Sequence, residues 1–134
     1  MELEEAITTY LMAQTGLTAL IDRRLFYDER PIDSQMPSVV VLNISDVKDH
    51  THEGLLPLES PVFQFTVYAA DKLAAKAVSK QIKAALSDHT GDMGGITVHW
   101  VRLMNELCTL AQIDESNRAD TVMLEFEINF ERVS

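Results

Sequence analysis

Residues 59–88, ESPVFQFTVYAADKLAAKAVSKQIKAALSD, change their hydrophobic period in mid-stretch, and the rest of the chain is arranged around that change. From Glu59 to Ala70 the period is two: Phe63, Phe65, Val67 and Ala69 fall on one face, Val62, Gln64, Thr66 and Tyr68 on the other. Alternating β-branched and aromatic residues predict a strand. Pro61 stands near its start, where a missing N–H is tolerated. Asp71 follows as an N-cap, its carboxylate able to accept an orphan N–H of a first helical turn. Over 72–87 the period is helical, and Leu73, Ala74, Ala77, Val78, Ile82, Ala85 and Leu86 are assigned to a broad apolar stripe. Lys72, Lys76, Lys80 and Lys83, four of the five lysines in the chain, gather on the opposite side.

Toward the N-terminus, Leu3, Ala6, Ile7, Tyr10 and Leu11 keep helical spacing. Glu2, Glu4 and Glu5 suit the positive end of the helix dipole, and Gly16 is read as its stop. A short second helix, Leu17 to Arg23, buries Leu17, Leu20 and Ile21, and RLFYDERPIDSQMP (24–37) reads as an irregular crossing broken by two prolines. Ser38–Ser45, SVVVLNIS, is apolar on both faces and predicts a strand inside a sheet. The 13 residues 46–58, DVKDHTHEGLLPL, are too many for a tight turn and predict a functional loop.

Toward the C-terminus, DHTGDMGG (88–95) reads as a loop, Ile96–Glu106 as a strand and CTLAQIDESNRAD (108–120) as a connection. Asp120–Arg132 alternates most cleanly, with Val122, Leu124, Phe126, Ile128 and Phe130 opposed to Met123, Glu125, Glu127, Asn129 and Glu131. The order α-(α)-β-β-α-β-β predicts one α+β domain spanning 1–134: a mostly antiparallel four-stranded sheet with helices on one face. At 134 residues the chain suits a single core, and 46% hydrophobic with 24% charged residues is ordinary for a globular protein.

A net charge of −10 argues against nucleic acid as an equilibrium ligand, because phosphate binding needs clustered cations. A lone Cys108 cannot close an internal disulfide, and is expected to be a small, partly buried apolar residue. No apolar run reaches roughly 18 residues, and the acidic start MELEEA lacks a signal-peptide n-region, so a soluble cytosolic product is expected. Asp49-His50-Thr51-His52-Glu53 is the one constellation with ligand chemistry, since imidazoles flanked by carboxylates can hold zinc. A bare H-x-H without a third ligand at a diagnostic spacing reads instead as a solvated loop. His99 is expected at the sheet rim, and no nucleophile elbow or phosphate loop is present. No catalytic residue and no cofactor is assigned.

The succession of blocks resembles the tail-completion, or head–tail joining, family of siphophages and prophages. The resemblance is carried by EEAITTYLMAQTGLTALIDRRLFYDERP (4–31), MPSVVVLNIS (36–45), VFQFTVYAADKLAAKAVSKQIKAAL (62–86) and FEINFE (126–131), and it covers nearly the whole chain. It implies a non-enzymatic virion protein with a tail-terminator-like fold, made in the host cytoplasm. Such proteins form rings, usually of six, that cap the tail tube and meet the head connector, with DNA passing through.

Ring contacts are heterologous, one surface meeting a different one on the next copy. Lys72, Lys76, Lys80 and Lys83 on the helix, and Glu125, Glu127 and Glu131 on the last strand, are therefore candidate joints. The loop residues Asp46, Lys48, Asp49, His50, His52, Glu53, Leu55 and Leu56 are candidates for contact with a neighbouring ring or subunit, which would fix the loop. Excess acid in the lumen would let DNA slide. The alternatives are another head-completion or neck adaptor, or, from a different class, a small metal- or ligand-binding protein using His50 and His52.

Overall fold

A computed structural model describes residues 3–27, 36–45, 58–112 and 118–131. Helices α1 (Leu3–Met12) and α2 (Thr15–Ile21) lead into a short strand β1 (Leu25–Tyr27) and then β2 (Ser38–Ser45). The pivot becomes β3 (Leu58–Glu59), β4 (Val62–Ala69) and α3 (Lys72–Leu86), and the chain continues as β5 (Gly91–Met93), β6 (Ile96–Gln112) and β7 (Arg118–Glu131). One sheet runs β1-β2-β4-β7-β6-β5, with β3 also paired to β7. All pairings are antiparallel except β1 with β2.

Register explains why one face of this sheet is the core. Phe65 of β4 stands opposite Val41 of β2 and Leu124 of β7, and Val67 opposite Val39 and Val122. Residues of one parity thus line up across three strands and are all buried. Phe65 and Phe126 meet edge to face, with centroids 5.8 Å apart. The helices cover this side: α3 packs on β4, β7 and β6, α2 packs on α3, and α1 on α2 and β5. No helix among the described residues is long and apolar enough to cross a membrane.

The predicted α+β class and the alternating strands are present, but the sheet has seven strands among the described residues, not four. Of the three additions, β1 lies in the stretch expected to cross irregularly. It is held because the Val39 N–H donates to the Arg24 carbonyl at 2.9 Å, while the Tyr27 phenol donates to the Glu4 carbonyl at 2.6 Å. At β3, Ser60 and Pro61 break the strand, and β7 pairs on either side of the break. The Ile128 N–H donates to the Pro61 carbonyl at 3.0 Å and the Asn129 amide to Ser60 Oγ at 2.6 Å. The third, β5, forms a hairpin with β6 around Gly94 and Gly95, both at positive φ (56° and 100°), as a two-residue turn requires.

Further corrections concern the helices and β6. Gly16 does not stop the first helix but lies inside α2. In α3 the buried stripe is Ala75, Val78, Ser79, Ile82 and Leu86. Leu73 is 84% exposed, since at ~100° per residue it lies about 160° around the axis from Ala75. The expected connection after Glu106 continues as strand, in register with β7 to Gln112 opposite Arg118. Cys108 stands exposed on it rather than partly buried.

Candidate assembly surfaces

The helix α3 is aimed by its cap and its buried stripe. Asp71 Oδ1 accepts from the Ala74 N–H at 2.8 Å, fixing the first turn. With Ala75, Val78, Ile82 and Leu86 turned to the sheet, the lysines must face away. Lys72, Lys76 and Lys80 are exposed, and no ion pair engages them among the described residues. Lys83 differs: its Nζ bonds both carboxylate oxygens of Glu106 at 3.0 and 3.1 Å, tying the helix to β6. The four predicted lysines therefore divide into three free and one engaged.

The other predicted row sits on the opposite side of the sheet, which no described helix covers. Glu127 accepts from Arg102 Nη2 at 2.6 Å, Glu125 from the Asn105 amide at 3.1 Å, and Glu131 stands 3.7 Å from His99 Nε2. Glu127 and Glu125 are thus held by their cross-strand neighbours on β6, while Glu131 stands opposite Thr97 with His99 nearby. Arg102 also lies over the Trp100 ring at 5.5 Å. Exposed ion pairs of this kind are worth about 0–1 kcal/mol each, so they orient the carboxylates more than they stabilise the fold.

Sequence reading missed the apolar members of this surface. Leu107 is 49% exposed, and register places it beside Met123, which in turn stands beside Thr66 of β4. The alternation of Thr97, His99 and Val101 was confused by bulges between Val98 and Trp100 and between Leu103 and Asn105, which shift parity along β6.

Asp46, Lys48, Asp49, His50, His52, Glu53, Leu55 and Leu56 lie outside the described residues. So does the metal reading of His50 and His52. Among the described residues no cluster of three or more His, Cys, Asp or Glu side chains is placed to hold a metal ion. His99 is exposed on β6, as expected of a rim residue. His89 packs against Tyr10, whose phenol donates to the Ala85 carbonyl at 2.6 Å and lies 3.1 Å from His89 Nδ1. That contact fastens α1 to the end of α3. Burial pushes the Tyr10 phenol above its usual pKa.

The sequence matches the family described as "Tail completion protein gp17" over residues 5–130. No curated protein matches it. Among solved structures, a chain from "Virion of native gene transfer agent (GTA) particle" superimposes with a TM-score of 0.66 at 15% identity. The match covers 96% of this chain and 94% of that one, so the two share a fold from end to end.

Proposed function

This chain belongs to the tail completion protein gp17 family, a family of non-enzymatic phage structural proteins, and on that premise we propose that it forms a ring at the head-proximal end of the tail. It is a structural protein of the virion. In this reading the ring has six copies, caps the tail-tube protein and meets the head connector, and DNA passes through its centre. The observation that supports it is the pair of unlike surfaces on opposite sides of one domain: the Lys72, Lys76, Lys80 side of α3 and the Glu125, Glu127, Glu131 side of the sheet. Heterologous contacts close a ring when the rotation between copies is a whole fraction of a turn. One or both charged surfaces lie at joints, between subunits or between the ring and its neighbour, where charge sets register and partner choice. Acidic groups outside the joints face the lumen, and a net charge of −10 per copy lets DNA slide without binding.

Light scattering over a range of concentration and salt tests this. A closed oligomer near six copies that loosens as salt rises is the expected result. Lys76→Glu with Lys80→Glu should deplete it at low salt, and an unchanged oligomer would remove α3 from the joint. A charge-neutral lumen wall in the assembled ring would count against the sliding role.

A further inference from the structure

Leu73 is the large apolar side chain that α3 turns to solvent, at the head of the free lysines. Along the outer side of α3, Leu73, Lys76 and Lys80 succeed one another about one turn apart, roughly 4.5 and 6 Å along the axis. Along the face of β7 that no described helix covers, the partly exposed Met123, Glu125 and Glu127 succeed one another at alternate residues, about 7 Å apart. Both rows read apolar, charged, charged, with opposite sign. Their steps differ by roughly 2.5 and 1 Å, about 3.5 Å over the whole row, which lies within the reach of a lysine side chain.

We propose that the Leu73–Lys76–Lys80 row of one copy docks on the Met123–Glu125–Glu127 row of a second copy. Leu73 covers Met123 and Leu107, and the two ammonium groups meet the two carboxylates. The contact rests on the ring reading and names its joint. The rows occupy opposite sides of the domain, so every copy offers one of each and the contact repeats. A second copy is the occupant because the lysine row calls for an acidic row with an apolar spot at one end, and this chain carries that row itself. Arg102 and Asn105 already hold Glu127 and Glu125. Little side-chain freedom is then lost on docking. Apolar contact at one end and charge at the other also fixes the direction in which the helix lies on the sheet.

A charge swap tests the pairing. Lys76→Glu and Glu125→Lys, made singly in the full chain, should each raise the concentration needed for assembly by about tenfold or more at low salt. The double variant restores complementarity at every joint, and its assembly should return to within about threefold of wild type. Leu73→Ser should weaken assembly while leaving the melting temperature of the dissociated protein nearly unchanged, because the side chain is 84% exposed. Single variants that assemble like wild type, or a double variant no better than the singles, would overturn the contact while leaving the ring intact. A wild-type protein monomeric at every concentration, alone and on isolated tail tubes, would remove the ring reading and this contact with it.

Discussion

At Gly94 the backbone passes so close to α1 that there is no room for a side chain. A Cβ there would lie 2.5 Å from the Ala6 carbonyl oxygen and 2.8 Å from Ala6 Cα, both rigid backbone, at a φ of 56°. Gly94→Ala should therefore cost about 2–4 kcal/mol, read as a lower urea midpoint with unchanged m-value. Ser38 is the reverse case, its buried hydroxyl lacking a hydrogen-bond partner among the described residues. Ser38→Ala should raise stability by about 0.5–1 kcal/mol, which the same titration would detect. Tyr27, like Tyr10, makes the fold sensitive to high pH. Burial first, then the Glu4 charge, raises its phenol above the usual value, with the Thr8 hydrogen bond opposing. Below about pH 10 both states keep the proton, and above it the unfolded chain releases it first. The Tyr27 contribution to stability should be level up to about pH 10 and fall beyond. In Tyr27→Phe the loss beyond that pH should be shallower, and an identical slope would show that other groups dominate.

Secondary elements were legible where one period held for long enough. The β4–α3 join, the buried parity of β7 and the Asp71 cap could all be read from spacing alone. Asp71→Ala should cost about 1 kcal/mol, measured by thermal melting, with the loss confined to the first turn of α3. Short strands were not legible, because β1, β3 and β5, at three, two and three residues, carry too few alternations to show a period. For β5 a local signal existed: the Gly94-Gly95 pair flanked by Met93 and Ile96 is a hairpin turn by composition. The far half of β6 escaped for another reason. Its residues from Arg102 to Thr109 are exposed on both faces, so no burial pattern is written into that stretch. As for the candidate surfaces, counting lysines found the basic row. Placing Leu73 within it required the true axis of the helix, which five buried residues define and a leucine in the first turn disguises.

Across the whole molecule the family and the fold agree, and the described helices lie on one side of the sheet while the acidic row lies on the other. Placement of charge, more than its total, should govern assembly. Removing one unpaired lysine from α3 should then change the salt dependence more than removing Lys83, which is already spent on Glu106. Parallel light-scattering series on Lys80→Ala and Lys83→Ala would show this, and equal effects would argue for bulk charge alone. The central strand has a further consequence, in time rather than space. β7 pairs with β3, β4 and β6, yet it follows all of them in the chain. At roughly 5–20 residues per second, a ribosome needs about 3–12 s to pass the ~60 residues between Ala69 and Ile128. Throughout that interval Phe63, Phe65 and the inner side of α3 have no central strand to close against. The nascent chain should need chaperone protection until β7 emerges, and a product truncated before residue 118 should be cut by protease faster than the full chain.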